Sequence, residues 1–207
     1  MFGQAEVLIS TICLLAGFSS RMGQPKQHLM LGNKTFLTHI IDNLRRNSDL
    51  ISQIVLVGQK GDDLSREIAD AGNLLWLENP CPERGPLSSI RLALEKIPLE
   101  AGIMLWPVDH PLIAESTVRT LCQAFLNAPE LITVPSIHQR RGHPSIFPAR
   151  FREQFFTAPE NEGARKILQL NPDSINHVLT EDEWVLKNIN TPEILKEAEL
   201  WLDQHGC

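Results

Sequence analysis

Four short, largely apolar runs, each followed by a stretch with helical spacing, constrain the fold of this 207-residue chain more than any other feature. The runs cover residues 9–15, 54–58, 74–77 and 102–106. Apolar runs bounded by turn residues are typical of strands buried on both faces, and apolar residues three or four positions apart are typical of amphipathic helices. Their alternation predicts an α/β fold with a mostly parallel sheet and helices on both faces.

The second half of the chain is less regular. We expect residues 131–134 and 145–147 to pair as strands around a polar loop. Residues 175–179 and 184–186 are predicted to form edge strands. The sequence contains no internal repeat, low-complexity tract or glycine- and serine-rich linker, so we expect one domain over residues 1–207.

Charge and cysteine content narrow the classes of function. A formal net charge of −6 argues against a general nucleic-acid binder, whose binding face would be basic. The four cysteines are widely spaced and form no CxxC pair, which favours reduced thiols in a cytoplasm over disulfides or zinc. The sequence has neither an apolar run of membrane-spanning length nor a basic N-terminal region followed by a long apolar one. We therefore expect a cytoplasmic protein that binds neither nucleic acid nor membrane.

The loop after the first run, residues 14–26, reads LLAGFSSRMGQPK. It combines small residues, hydroxyls and two cations, with glycines where the backbone must turn. Such a loop can direct backbone N–H groups onto phosphate oxygens, and Arg21 and Lys26 add a planar fork and a point charge. The spacing is neither that of a P-loop nor that of a dinucleotide GxGxxG. The alternative is an ordinary surface loop after a first strand.

Three irregular loops, which begin at Gly17, Asn79 and Pro107, follow predicted strands. Ligands bind at the carboxyl ends of parallel strands, so these loops can meet in one cleft. Asp109 follows an apolar strand, where a carboxylate is costly unless it is paired or binds a metal. Because Mg²⁺ takes one or two carboxylates together with phosphate and water oxygens, Asp109 is the candidate metal ligand. The alternative role for Asp109 is a cap of the next helix or turn.

Residues 14–26 resemble the L-x-A-G-x-S-x-R-M-G-x-x-K opening of the MobA-like nucleotidyltransferases, and most closely that of the molybdenum cofactor cytidylyltransferases. Further segments resemble the same family in the same order: GPLSS at 85–89, PVDHP at 107–111, RGHP at 141–144, GAR at 163–165 and NINTP at 188–192. The resemblance covers roughly residues 9–200. It implies a three-layer, Rossmann-like (GT-A-like) nucleotidyltransferase fold.

The resemblance also implies roles for individual residues. Those implied in catalysis are Arg21, Lys26 and Asp109. Those implied in nucleotide binding are Leu15, Ala16, Gly17, Gly85, Ser88 and Ser89. Those implied in acceptor binding are Arg141, Gly142, His143 and Arg165. The implied cofactor is Mg²⁺, on Asp109 and Asn190.

Some of these residues also have ordinary structural explanations. Ser88 and Ser89 could simply cap a helix, and a loop with Arg140 and Arg141 could simply be solvated. His110, next to Asp109, is expected to be structural or at most to support the metal ligand.

The chain departs from the family pattern at three asparagines. Asn161, Asn188 and Asn190 stand where the family has or tends to have aspartate. An amide oxygen can still bind Mg²⁺. The substitutions nevertheless leave the acceptor and the metal affinity open.

By resemblance, the activity is transfer of CMP from CTP to molybdopterin, with release of pyrophosphate. Ala16 and the Ser88–Ser89 pair resemble the cytidylyl branch of the family, whereas the guanylyl branch tends to have glycine at both places. Pro86 and Leu87 also occur in the guanylyl branch. The alternatives are a GTP-dependent guanylyltransferase, a transferase for a sugar or alcohol phosphate, and a non-catalytic nucleotide- or cofactor-binding accessory protein. A molybdoenzyme is a possible partner.

Overall fold

The computed structural model of the protein describes residues 8–17, 23–160 and 162–205. The strands, in chain order, are β1 (Ile9–Leu14), β2 (Met30–Leu31), β3 (Lys34–Thr35), β4 (Gln53–Gln59), β5 (Leu75–Asn79), β6 (Gly102–Pro107), β7 (Ile132–Ile137), β8 (Arg140–Arg141), β9 (Ser145–Phe147) and β10 (Ile175–Leu179). The helices are α1 (Phe36–Arg46), α2 (Asp63–Ala71), α3 (Pro86–Leu94), α4 (Glu115–Asn127), α5 (Arg152–Thr157), α6 (Gly163–Leu170) and α7 (Pro192–His205).

The main sheet has the strand order β10-β7-β9-β6-β1-β4-β5, and β8 pairs with β7. The pairs β1–β4, β1–β6, β4–β5 and β7–β10 are parallel. β9 lies antiparallel between β6 and β7. The mostly parallel sheet predicted from the sequence is therefore confirmed, and β10 lies at its edge as expected.

Alternate residues of the central strands point to opposite faces of the sheet, because the side-chain period of a strand is two. On β6, Met104 and Trp106 join one apolar cluster with side chains of α1 and α4. Ile103 and Leu105, from the same strand, join a second cluster with side chains of α3, α5 and α6. The sheet is thus covered by helices on both faces, which gives the three-layer architecture.

The prediction of an edge strand at residues 184–186 is wrong. Residues Glu183–Val185 form a 3-10 helix, in which the side chain of Asp182 accepts a hydrogen bond from the backbone N–H of Trp184 at 3.1 Å. Trp184 and Val185 are buried, so the apolar character of the segment reflects packing of a turn. A short apolar run does not by itself distinguish a strand from a buried turn.

The polar loop between β7 and β9 contains a strand that the sequence did not reveal. β8 pairs with the end of β7 through Ile137 and Arg140, and the two residues between them, His138 and Gln139, have φ values of 47° and 63°. Two-residue hairpins with a type I′ turn need positive φ at both turn positions, and the usual sequence signal for them is Asn-Gly or Asp-Gly. His-Gln lacks that signal. The hairpin directs Arg141 back toward the carboxyl edge of the sheet.

None of the helices in the described ranges is long and apolar enough to cross a membrane.

Candidate active site

A cleft of about 980 Å³ opens at the carboxyl ends of the central strands. Loops after β1, β5, β6 and β8 and the start of α6 contribute to its wall. The predicted site residues that line it are Ala16, Gly17, Lys26, Gly85, Ser89, Asp109, Arg141, Gly142, His143 and Arg165. Segments that are far apart in the chain therefore meet at the carboxyl ends of the strands, where the predicted loops were expected to form a cleft.

Lys26, Asp109 and Asn190 meet at one point of this site. Lys26 Nζ lies 3.3 Å from Asp109 Oδ2 and also donates to Asn190 Oδ1. The side chains of Lys26 and Asp109 are about four-fifths buried, being 19% and 18% exposed. The backbone N–H of Ile189 donates to the carbonyl oxygen of Asp109 at 2.8 Å, which ties the segment of Asn190 to the loop after β6.

The two oxygens that converge on Lys26 suit a hard cation. A carboxylate oxygen of Asp109 and an amide oxygen of Asn190 face one ammonium group, so a positive charge is accommodated between them. Both are oxygen donors of the kind that Mg²⁺ prefers. In the described part of the chain, no group of three or more His, Cys, Asp or Glu side chains could hold a metal ion. The donor set fits an ion that takes its remaining ligands from phosphate and water.

A buried carboxylate holds the turn that carries Lys26. Gln27 and His28, which follow Lys26 in a 3-10 turn, each lie 2.7 Å from a carboxylate oxygen of Asp62. Asp62 also caps α2 by accepting from the backbone N–H of Ser65 at 3.2 Å. Burial by itself would raise the pKa of Asp62, but the hydrogen bonds from Gln27, Ser65 and His28 lower it below its usual value. The sequence analysis did not identify Asp62, whose helix-capping position was its only visible signal.

Two neighbouring histidines lie beside Asp109. The rings of His110 and His143 are tilted against each other, with centroids 4.9 Å apart. His110 is 5% exposed, and its Nδ1 lies 3.2 Å from the carbonyl oxygen of Trp184. Burial lowers the pKa of His110, and burial together with the neighbouring His110 lowers the pKa of His143 to about 4. His143 is therefore a neutral group in the cleft at neutral pH.

Arginines supply positive charge at the end of the cleft where the sequence predicts acceptor binding. Arg141, on β8, and Arg165, on α6, both line the cleft and are exposed. Gly142 lies between Arg141 and His143 in the chain. A Cβ atom built on Gly142 would come within 2.5 Å of the carbonyl oxygen of Val185. Only glycine fits such a close backbone approach. Gly142 therefore has a packing role, whereas the two guanidinium groups face the space where an anion could bind.

At the end of the cleft where the sequence predicts nucleotide binding, the structure separates the six predicted residues. Ala16, Gly17, Gly85 and Ser89 line the cleft. Leu15 instead packs in the core, 1% exposed. Ser88 lies outside the cleft wall, and its Oγ donates to the carbonyl oxygen of Gly85 at 2.7 Å.

Two amide side chains that the sequence analysis did not single out support this end of the cleft. Gln59 Nε2 donates to the carbonyl oxygen of Ala16 at 3.1 Å. Asn79 Nδ2 lies within 2.9 Å of both serine hydroxyls, Ser88 and Ser89. Gln59 and Asn79 are the last residues of β4 and β5 and are paired in register. A polar residue that ends an apolar strand was the signal that could have identified them.

Arg21 and Asn161 lie outside the described residues, so their predicted roles stay predictions.

Comparison with known proteins assigns the family. Residues 11–178 match the model of the MobA-like NTP transferase domain. The chain belongs to this family. As a MobA-like NTP transferase it carries the nucleotidyltransferase fold, which confirms the resemblance drawn from its motifs.

Two relatives illustrate the range within the family. The molybdenum cofactor guanylyltransferase of Rhizobium meliloti is 27% identical, over 92% of this chain and 90% of its own length. The molybdenum cofactor cytidylyltransferase of Escherichia coli is 34% identical, over 44% of this chain and 47% of its own length. The similarity to the guanylyltransferase thus spans nearly the whole chain, whereas that to the cytidylyltransferase is higher but covers less than half.

Among solved structures, Rv0371c of Mycobacterium tuberculosis superimposes with a TM-score of 0.79 at 23% identity, covering 94% of this chain and 99% of its own. A manganese complex of the same protein superimposes with a TM-score of 0.69 at 22% identity, over 84% of this chain and 89% of the other. At this level of identity the likeness establishes the fold of the MobA-like domain.

Proposed function

We propose that this protein transfers CMP from CTP to a molybdopterin-type acceptor and releases pyrophosphate. The observation that supports the proposal is the meeting of Asn190 with Lys26 and Asp109, two residues that line the cleft. We propose that Ala16, Gly17, Gly85 and Ser89 form the nucleotide end of this cleft and that Arg141 and Arg165 form its acceptor end. In this reaction an acceptor phosphate oxygen forms a bond to the α-phosphorus, and the bond from that phosphorus to pyrophosphate breaks. Positioning and charge neutralisation can supply most of the catalysis, so no protein nucleophile is required.

Lys26 and Arg21 are proposed to bind the triphosphate and to balance charge as pyrophosphate leaves. The carboxylate of Asp109 and the amide oxygen of Asn190 would hold Mg²⁺. When bound, the ion supplies charge neutralisation on phosphate oxygens. The manganese complex of Rv0371c supports a divalent ion in this fold. Mg²⁺ itself is inferred from the oxygen donors and the triphosphate chemistry.

Arg141 and Arg165 are proposed to bind the anionic phosphate of the acceptor. Both line the end of the cleft next to His143, where a planar guanidinium can bind phosphate oxygens in a bidentate manner. His143 would contribute a neutral ring, because its lowered pKa keeps it uncharged. Molybdopterin as the acceptor follows from the names of the relatives, which act on the molybdenum cofactor.

A specific observation favours GTP as the alternative donor. The relatives that cover nearly the whole of this chain include guanylyltransferases, and Pro86 with Leu87 also fits that branch. Against it, Ala16 and Ser89 line the cleft with a methyl and a hydroxymethyl group where a purine would need space. Differences of fit and one or two hydrogen bonds give roughly a 10- to 200-fold preference. We expect a preference for CTP within that range.

Pyrophosphate release tests the proposal directly. The purified protein is mixed with Mg²⁺, molybdopterin and each of the four nucleoside triphosphates in turn, and kcat/KM is compared. The proposal expects CTP to give the highest value. Equal or higher kcat/KM with GTP would assign the protein to the guanylyl branch. Nucleotide binding without pyrophosphate release from any triphosphate would instead indicate a binding protein.

A further inference from the structure

Asn79, the last residue of β5, is buried behind the nucleotide end of the cleft, where all of its polar atoms are engaged. Its Oδ1 accepts a hydrogen bond from the backbone N–H of Cys81 at 2.9 Å. Its Nδ2 lies 2.7 Å from the Oγ of Ser88 and 2.9 Å from the Oγ of Ser89. The Asn79 side chain thus connects the end of a central strand to the first turn of α3.

The contact with Cys81 fixes the direction of the Asn79 amide. The oxygen and nitrogen of an asparagine side chain are normally assigned only from their surroundings. A backbone N–H can only donate, so the atom that faces Cys81 must be the oxygen. The NH₂ group therefore faces the serines and has one hydrogen for each. Both serine oxygens accept in these bonds.

The two serines differ in where their own hydrogens can go. The Oγ of Ser88 donates within the protein, to the carbonyl oxygen of Gly85 at 2.7 Å. In the described part of the chain, Ser89 makes no hydrogen bond to an acceptor, and its side chain lines the cleft. A hydroxyl has a single hydrogen. Because its oxygen already accepts from Asn79, Ser89 presents that hydrogen to whatever binds in the cleft.

We propose that Asn79 is a positioning residue for base selection, which makes Ser89 a hydrogen-bond donor toward the nucleotide base. The inference rests on the proposed function, in which the base occupies this end of the cleft. On its pairing edge cytosine has the adjacent acceptors O2 and N3 beside the donor N4–H₂, whereas guanine has the adjacent donors N1–H and N2–H₂ beside the acceptor O6, and the proposed position of Ser89 is opposite the two adjacent like groups. A donor at Ser89 therefore favours cytosine and opposes the donor face of guanine.

The variant Asn79→Asp tests this assignment with little change of shape. The carboxylate still accepts from Cys81, but it replaces the NH₂ group by an acceptor, so both serines must turn their hydrogens toward it. Ser89 then presents lone pairs to the base. One hydrogen bond is worth roughly a factor of ten, so the ratio of kcat/KM for CTP to that for GTP should fall about tenfold. The control is Asn33→Asp, which adds the same charge at an exposed turn; its ratio should stay unchanged.

A second variant keeps the test decisive if Asn79→Asp fails to fold. Ser89→Ala leaves the bonds of Asn79 to Cys81 and Ser88 in place, and it removes the proposed donor together with the acceptor for one hydrogen of the Asn79 amide. We expect kcat/KM for CTP to fall about tenfold and that for GTP to change by less than about twofold. Equal losses for the two nucleotides would contradict the donor role.

The outcomes separate this inference from the proposed function. A folded, active Asn79→Asp variant with an unchanged CTP-to-GTP ratio, or a wild-type preference for GTP, would overturn the inference while transferase activity stands. If the wild-type protein neither binds nor turns over any nucleoside triphosphate, the proposed function fails and the inference fails with it.

Discussion

Asp109 brings its carboxylate to the point where Lys26 and Asn190 meet, and single side chains there should control the chemistry. Asp109→Ala removes the proposed anchor of the metal ion. We expect turnover to fall on the order of 10³-fold or more, because charge neutralisation on the phosphates is lost. Asp203→Ala, at an exposed position of α7, is the matched control and should keep wild-type activity. Near-normal turnover of Asp109→Ala at saturating Mg²⁺ would remove Asp109 from the metal site.

Lys26 should be equally sensitive, for a different reason. Lys26→Ala deletes a charge that we propose stabilises the departing pyrophosphate, and removal of one such group costs about 10²- to 10³-fold in kcat. Lys196→Ala, at an exposed position, controls for loss of a lysine. The measurement is steady-state pyrophosphate release at low and saturating CTP. An effect confined to KM would mean that Lys26 binds the ground state and the transition state equally well.

The lowered pKa of His143 makes the free energy of unfolding depend on pH. Its folded-state pKa of about 4 lies below the usual value of 6.5, so the unfolded chain binds a proton that the folded protein does not. The resulting stabilisation is complete above about pH 6.5 and is lost as pH falls toward 4. The free energy of unfolding of the wild type should fall between pH 7 and pH 4.5. We expect it to fall by about 1–3 kcal/mol less in His143→Gln, which lacks the titrating ring. His205→Gln, at an exposed position at the end of α7, is the control for replacing a histidine by glutamine.

Candidate site residues could be predicted from the sequence only where a motif surrounds them. Lys26, Asp109 and Asn190 stand in such segments, and the structure brings all three together. Leu15 was predicted from the same motif, but its side chain packs in the core. A motif shows which stretch of backbone approaches a ligand. It does not show which way each side chain of that stretch points.

At the scale of elements, Asp62 connects the start of α2 to the turn that carries Lys26. Its carboxylate caps α2 and also binds the side chains of Gln27 and His28. Asp62→Ser keeps a helix-capping hydroxyl but is too short to hold Gln27 and His28. We expect kcat to fall about tenfold or more as Lys26 loses its placement, since misplacement by about 1 Å can cost 10²-fold. Asp63→Ser, at the next position and exposed, should have little effect. Wild-type kcat for a folded Asp62→Ser variant would limit Asp62 to capping α2.

Elements with strong periodicity were predictable, and those set by local turn chemistry were not. The apolar runs that became β1, β4, β5 and β6 are long enough to identify strands, and alternation with helices fixed their parallel arrangement. The hairpin to β8 depends on positive φ at His138 and Gln139, for which the sequence has no signal. The segment Glu183–Val185 is a buried turn with a strand-like composition.

At the scale of the whole molecule, the sequence predicted that loops at the carboxyl ends of strands would meet, and the cleft is where this rule places it. It did not predict which remote segments would reinforce them. Asp62, at the start of α2, holds the turn next to Lys26 through Gln27 and His28. Such contacts depend on how loops pack in three dimensions, which neither periodicity nor composition records.

The antiparallel direction of β9 bears on how the preferences for donor and acceptor could evolve in this molecule. Gly17, Gly85 and Ser89, which we propose to bind the nucleotide, follow the parallel strands β1 and β5, whereas Arg141 and His143, which we propose to bind the acceptor, lie in the segment that leads into β9. On this proposal, the donor and acceptor preferences are encoded in separate stretches of the gene. A lineage could acquire a new acceptor by recombining the later stretch alone and inherit its nucleotide preference unchanged.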